Sequence, residues 1–411
     1  MTTTFKPQTA DQVADAVAWA VAEAQPLEVI GRGSKRGLGR PVQAANGLDL
    51  SALGGITLYE PEELVLSARA GTPIAEIEAA LEEKNQNFAF EPADLGPLFG
   101  GAAGLGSIGG IIACNLSGPR RIKAGAARDH FLGLKAVSGR GEPFKSGGRV
   151  VKNVTGYDLC KLMAGSYGTL SVMTEVTVKV MPAPEKTRTV LLFGLDDSQA
   201  LRAMTRALLS AHEVSGAAHL PGPVAAGSTV AHVAGAAGAV TAIRVEGPGP
   251  SAEYRSATLR GELSDLAETE ELHGRDSRAL WAELRDVKPF LAAPERVVWK
   301  LSVPPRAGPA VAAAIARETQ ALYYYDWAGG LIWLALAADR NAGDRAGHEV
   351  VRAAVKEAGG HATLMRAPEE LRAAVPVFQP QDEGHAALAG RVKAGFDPNR
   401  VLNPGRMYAG V

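Results

Sequence analysis

The residues with the most chemistry in them lie between Glu91 and Asp129, in the stretch EPADLGPLFGGAAGLGSIGGIIACNLSGPRRIKAGAARD. Glycine permits positive φ and lets backbone N–H groups reach a ligand with no Cβ in the way. A run of such groups forms a concave anion site of the kind that suits a pyrophosphate. A flexible Gly/Ala linker has a similar composition, but Ile108, Ile111, Ile112 and Leu116 are interleaved as a buried wall requires. A second Gly-rich loop, Gly31-Arg32-Gly33-Ser34-Lys35-Arg36-Gly37, places a hydroxyl and cations close to a turn. Alone it reads as an ordinary strand-to-turn junction. Two phosphate-type loops early in one chain imply a single dinucleotide held at two places.

Residues 104–109 also fit G-x-G-x-x-G, the pattern of a nicotinamide-type site. That motif has meaning only after a strand and before a helix. Here it follows Pro92, Asp94, Gly96, Pro97, Gly100 and Gly101, which are turn residues, so no Rossmann unit is expected.

The chain of 411 residues has room for two or three domains with real cores. Its formal net charge of −1, with no basic run, gives no case for nucleic acid. Cys114 and Cys160 are the only cysteines, too few for a disulfide framework, a four-ligand zinc site or a cysteine-held iron–sulfur cluster within the chain. The start, MTTTFKPQTADQ, lacks the apolar core of a secretory signal. Residues 214–243 carry no Asp, Glu, Lys or Arg, yet Gly, Ala, Ser, Thr and Pro with His219 and His232 make them too weakly apolar to enter a membrane. A cytoplasmic location without a membrane span is the expectation.

The elements that must position these loops follow in order. A capping box at Thr9 opens a helix to about Ala24. Residues 27–31 form a short buried strand leading into the first loop, and residues 64–70 form another. Thr72 and Pro73 cap a helix over 74–84. Residues 131–138 and 172–180 read as strands, and Pro182 with Pro184 marks a domain boundary. Beyond it the order βαββαβ occurs twice. The first copy has strands at 187–193, 216–220 and 239–246, a final short strand, and helices at 198–211 and 251–263. The second spans 297–366, with helices near 309–320 and 344–358 and paired strands 322–327 and 331–337 joined at Gly329-Gly330. That split βαβ pattern predicts ferredoxin-like packing, two copies making one larger antiparallel sheet. The end, FDPNRVLNPGR, has turn chemistry too regular for a frayed tail.

GRGSKRG, SIGGIIACNLSGPRR, KNVTGYDLCKLMAGSYGTLSVMTEV and the closing FDPNRVLNPGR, taken jointly and in this order, resemble the vanillyl-alcohol-oxidase type of FAD-binding flavoprotein. The likeness covers about the first 180 residues and the last 16. LSGPRR, GHATLMRAP, VFQP and NPGRMY bring it closest to the FAD-binding E subunits of bacterial glycolate oxidases (glycolate dehydrogenases). The resemblance implies an α+β chain: a two-subdomain FAD-binding domain of the PCMH type over 1–182, an antiparallel-sheet second domain with two ferredoxin-like halves over 183–395, and a segment 396–411 returning to the FAD site.

It also implies roles. Gly31, Arg32, Gly33, Ser34, Lys35 and Arg36 would wrap the pyrophosphate. Ser107, Gly109, Gly110, Asn115 and Gly118 would form the wall under the ribityl chain and flavin. The main chain at Val172 would meet the adenine, and Asn403 would return to the flavin end. Arg120, Arg121, Arg128 and Asp129 either line the cofactor or stabilise their loop. Covalent attachment in this family uses a His in the first loop; residues 31–37 hold none, so FAD is expected to be non-covalent. Cys114 is expected to be a packed thiol.

Hydroxy-acid oxidising relatives carry a His-x-His metal motif, and His130, His212, His219, His232, His273, His348, His361 and His385 are not spaced that way, so no metal is expected. For catalysis, Arg366 as a carboxylate clamp and Lys300 as a charge are the two candidates, and both also fit as strand-end cations. No general base is evident. The resulting expectation is a flavin subunit of a glycolate (2-hydroxy acid) oxidase complex, receiving electrons from substrate or a partner flavin. A homologous flavin subunit and an iron–sulfur subunit are the implied partners, with any membrane association peripheral and through them. A stand-alone FAD oxidoreductase and a non-catalytic assembly subunit are the rivals.

Overall fold

The computed structural model describes residues 3–149, 156–337 and 345–410. Lys152, Asn153, Val154 and Thr155 of the KNVTGYD motif, and Asp344 at the expected start of the last helix, fall outside them. Two compact units result: residues 1–117, 126–183 and 376–411 in one, 118–125 and 184–375 in the other.

In the first unit, β1 (Thr4–Phe5), β2 (Leu27–Ile30) and β3 (Asn46–Asp49) form a small parallel sheet in the order β1-β3-β2. Helix Ala10–Ala22 begins at Thr9, whose side chain accepts from Gln12 N–H, and buries Val13, Ala16, Val17 and Ala20 at the i, i+3, i+4, i+7 spacing of one helix face. These pack with Leu27, Leu48, Val137, Val172 and Leu402 in one core. β4 (Ile56–Glu60), β5 (Val65–Arg69), β7 (Phe131–Ser138), β8 (Pro143–Gly147) and β9 (Ser171–Lys179) form an antiparallel sheet ordered β4-β5-β9-β7-β8. The short β6 (Gln86–Asn87) pairs with β10 (Met181–Pro182).

Helix Ile74–Glu82 starts at the expected residue and ends short of Lys84. Pro73 is its N-cap, without a side-chain cap bond. The Thr72 hydroxyl is engaged elsewhere, donating to Arg69 C=O at 2.6 Å and accepting from Gly55 N–H at 3.0 Å.

The second unit is built on an eight-stranded sheet ordered β14-β11-β13-β12-β16-β17-β15-β18. Its strands are β11 (Lys186–Phe193), β12 (Gly216–Leu220), β13 (Val240–Gly247), β14 (Thr269–His273), β15 (Val297–Ser302), β16 (Ala321–Asp326), β17 (Leu331–Leu336) and β18 (His361–Arg366). Numbered within each copy, both quartets have the order 4-1-3-2, the ferredoxin-like arrangement. They join edge to edge at His219↔Tyr325. Helix Gly274–Arg285, absent from the sequence reading, fills a gap between copies: Trp281 Nε1 donates to Thr189 Oγ1 at 2.8 Å.

Helix Glu383–Phe396 belongs with the first unit, together with residues 376–382 before it. The physical reason is a buried ion pair near its end. Lys393 Nζ lies 2.8 Å from Asp397 Oδ2 and donates also to Thr169 C=O and Leu402 C=O. Asp397, fully buried, accepts from Val401 and Leu402 N–H. Breaking one partner of such a pair strands the other charge in the core, costing about 3–5 kcal/mol. Lys393→Met is therefore expected to lower unfolding stability by that amount in a urea titration. Lys393→Met/Asp397→Asn together is expected to recover part of it.

Candidate functional site

A cleft of about 720 Å³, counting the part continuous with solvent, opens in the first unit where β2 runs into the 31–36 loop. Its walls come from four places: that loop, the start of helix Ile108–Cys114, the Tyr167-Gly168 turn with Ser171 and Met173 of β9, and the C-terminal residues Asn403 and Arg406. Strand alternation decides what β9 contributes. Ser171 and Met173 face the cleft, whereas the side chain of Val172 between them is fully buried in the helix-packed core.

The loop is shaped for an anion. Gly33 sits at φ +78°, which glycine adopts without strain. Arg36 N–H closes the turn on Gly33 C=O, and Leu38 N–H on Lys35 C=O. Among the described residues the amides of Gly33, Ser34 and Lys35 meet no acceptor. Arg32 Nε is buried there without a hydrogen-bond partner. Lys35, 9% exposed, donates to Ser34 Oγ at 3.0 Å, and burial pushes its pKa down while Cys114 and Asp94 pull it partly back. Arg36 is committed to Glu28 at 2.5 Å. Three unspent amides beside Lys35 and Arg32 are what a pyrophosphate needs. Val29, Ile30, Leu50, Ala70, Ala113 and Met173 supply apolar wall for a flat ring system. The residues present fit a dinucleotide.

The second loop closes the cleft through backbone contact. Ser107 caps helix Ile108–Cys114, its Oγ accepting from Gly110 N–H at 3.3 Å. A Cβ on Gly31 would stand 2.4 Å from that same oxygen. Gly109 and Gly110 point differently: a Cβ on Gly109 would meet Ala70 at 2.8 Å, one on Gly110 would meet Ser107 Oγ and Lys35 Cε at 3.2 and 3.3 Å.

So Gly31, Arg32, Gly33, Ser34, Lys35, Arg36, Ser107, Gly109, Gly110 and Asn403 come together on one cleft. Asn403, at φ +45°, uses both ends of its amide on backbone, accepting from Val29 N–H and donating to Tyr167 C=O, each at 2.8 Å. Other expected residues do not line the cleft. Asn115 is the left-handed C-cap of helix Ile108–Cys114 and accepts from Arg128 N–H. Asp129 accepts from Ala126 N–H, and Arg128 lies 3.6 Å from Asp129. Gly118 and Arg120 group with the second unit, where Gly118 C=O accepts from Trp327 Nε1 and Arg120 forms a bidentate pair with Glu246.

Sequence reasoning missed Arg406 and Tyr167 as lining residues and expected Cys114 only as a packed thiol. Arg406 is buried, donates to Lys35 C=O at 3.0 Å and lies 3.7 Å from Glu28. The NPGRMY ending was its only signal. Cys114 lines the cleft with its thiol pushed up by burial. Of the catalytic candidates, Arg366 donates to the carbonyls of Arg296, Phe290 and Ala293, which makes it a chain clamp. Lys300 stands beside Trp327 and Trp333 in the second unit. No group of three potential metal ligands occurs among the described residues, and no helix there is long and apolar enough to cross a membrane.

Residues 2–147 match the model of the FAD binding domain. Glycolate oxidase subunit GlcE of Escherichia coli (strain K12) is 34% identical over 391 residues, 95% of both chains. Glycolate oxidase subunit GlcD of Bacillus subtilis (strain 168) is 34% identical over 132 residues, 32% of this chain and 26% of that one. The structure of 4-ethylphenol oxidase from Gulosibacter chungangensis superposes with a TM-score of 0.70 at 15% identity, covering 99% of this chain and 89% of the other. That last likeness establishes the fold. The matching domain sits on the cleft with the open amides, so FAD is the cofactor that the loop geometry serves. With the two-unit fold and near full-length identity, the chain belongs to the glycolate oxidase E-subunit family of FAD-linked oxidoreductases, on the vanillyl-alcohol-oxidase fold.

Proposed function

We propose that this chain is the FAD-binding subunit of a glycolate (2-hydroxy acid) oxidase complex, with FAD held non-covalently and electrons passed on to an iron–sulfur partner. The observation that carries the reading is the 34% identity to the E. coli GlcE subunit over 95% of both chains. When bound, FAD supplies a two-electron acceptor for a substrate C–H bond or for a reduced partner flavin. The chain's own residues bind and orient it. The 33–35 amides with Lys35 and Arg32 take the pyrophosphate, and the Ser107–Gly110 turn supports the middle of the molecule. Asn403 fixes the backbone of β2 and of the Tyr167 turn on either side. Arg128, Asp129 and Asn115 support the loop beside this wall, and the Val172 main chain serves the adenine end.

Two cysteines are too few for an iron–sulfur cluster, so the acceptor has to come from another subunit. A homologous flavin subunit of the GlcD kind is the second partner. The assembly is placed in the cytoplasm, touching a membrane only through its partners.

The test begins with the visible spectrum of the chain purified alone, followed by glycolate without air. A yellow protein that bleaches only once the partner subunits are added supports the reading. Bleaching of the isolated chain would replace it with a stand-alone oxidoreductase, and a folded, colourless chain with an assembly role.

Glycine variants test the binding wall. Gly110→Val places branches beside Lys35 and Ser107 and is expected to lose most bound flavin with little change in thermal midpoint. Gly109→Val drives into Ala70 and is expected to lose flavin and stability together, on the order of 1–3 kcal/mol for overpacking. The ratio of flavin to protein absorbance, with a melting curve for each variant, separates the two. Full flavin occupancy in Gly110→Val would remove that glycine from the site.

A further inference from the structure

One cation of the cleft has more donors than the fold uses. Arg406 comes from the C-terminal segment, lines the cleft and is 8% exposed. The chain makes room for it: Gly39 sits at φ +90°, and a Cβ there would stand 3.0 Å from the Arg406 carbonyl oxygen and 3.1 Å from its Nε. Main-chain bonds fix the segment, with Arg40 N–H donating to Arg406 C=O at 2.8 Å and Gln43 N–H to Pro404 C=O at 3.0 Å. The arginine's backbone is thus held independently of what its guanidinium does.

That guanidinium has few contacts. Among the described residues, Nη2 donates to Lys35 C=O at 3.0 Å, Nη1 lies 3.7 Å from Glu28 Oε1, and the buried Nε has no hydrogen-bond partner. Glu28 is a shared acid, since Arg36 already takes both of its oxygens, at 3.0 Å and 2.5 Å. Burial pulls the Arg406 pKa below its ordinary value; Cys114, Glu28 and Tyr167 oppose that, and Arg36 adds to it. An arginine still stays charged inside a protein. A buried charge with donors to spare is costly unless an anion meets it.

Position decides which anion. The carbonyl that Arg406 grips belongs to Lys35, whose own N–H is one of the open amides of the first loop. The Lys35 ammonium stands in the same wall, and Arg32 Nε is likewise buried without a hydrogen-bond partner. A guanidinium one residue from open amides, with an ammonium beside it, is a donor set that suits a diphosphate. We propose that Arg406 is a pyrophosphate-binding residue of the cofactor site, so that the C-terminal segment completes the anion site begun by the 31–36 loop. This rests on the reading that the loop amides take the FAD pyrophosphate, and it adds to them a residue from the far end of the chain.

FAD uptake by the deflavinated full-length protein, followed by quenching of flavin fluorescence, tests the assignment. Arg406→Gln keeps a donor for the Lys35 carbonyl and removes the charge. It is expected to weaken FAD binding about tenfold or more with little change in thermal midpoint. Arg406→Lys keeps the charge without the planar fork and is expected to recover part of the loss. Added anions compete for an open guanidinium, so the gap between native protein and Arg406→Gln is expected to narrow as sodium sulfate is raised. A role confined to shaping the loop would leave that gap constant. Native FAD affinity in a folded variant of either kind overturns the proposal, and so does a gap that ignores sulfate. Inorganic pyrophosphate, set against FAD uptake, keeps the two readings apart. If it fails to compete in the native protein, the loop reading falls. If it competes equally in native protein and in Arg406→Gln, only the Arg406 assignment falls.

Discussion

No side chain fits between Gly31 and Ser107, and the rest of the first unit follows from that closeness. A Cβ there would sit 2.4 Å from the Ser107 hydroxyl. The helix that Ser107 caps is seated just as tightly, with Ile108 N–H donating to Thr72 C=O at 3.0 Å and Gly109 N–H to Ala70 C=O at 2.9 Å. Backbone meeting backbone at this range is possible only where glycine removes the obstacle. The two Gly-rich loops are thus one surface made of main chain. The amides left over on the 31–36 side are available to a ligand because the other side has already satisfied its own.

Charge is distributed to match. Lys35 sits in the wall, its ammonium weakened by burial, while Arg36 and Arg406 pair with Glu28 at the cleft. The C-terminal segment returns to β2 by a parallel bridge, Leu27↔Leu402, and the Asn403 amide links β2 to the Tyr167 turn. A residue over 370 positions away in sequence therefore ties down β2 at the cleft. The buried Lys393–Asp397 pair secures that return, because the carboxylate also takes the amides of Val401 and Leu402.

The second unit repeats one motif and then departs from it. Both quartets have the same strand order, but their surfaces differ. The first copy closes its face with helix Gly274–Arg285 and the stacking of Arg244 on Trp281 at 4.6 Å. In the second copy His361 is exposed and Lys300 half-buried, while Trp333 opposite Lys300 is buried. Duplicated architecture thus accommodates unlike chemistry, since a sheet's order is set by its backbone and its face by alternate side chains.

Much of this was legible in the residues. Glycine content marked both loops because no other residue permits the approach. The order of strands and helices read along the chain matched both copies and predicted the sheet. Two cysteines bounded the redox chemistry that one chain can house. What stayed hidden depends on distance across the fold. Asn115, Asp129 and Arg128 look like ligands in sequence; in the fold the Asn115 and Asp129 side chains accept from nearby backbone N–H groups, and Arg128 lies beside Asp129. Arg366 looks like a carboxylate clamp, and three carbonyls from residues 290–296 occupy it. Gly109 and Gly110 are adjacent and identical in type, but successive Cβ directions on a helix diverge, so one faces Ala70 and the other Lys35. The sequence by itself determined which backbone could come close and which segments repeat. Only the tertiary structure decided which polar groups remain unspent once the chain has closed, because that depends on every partner brought within hydrogen-bond reach.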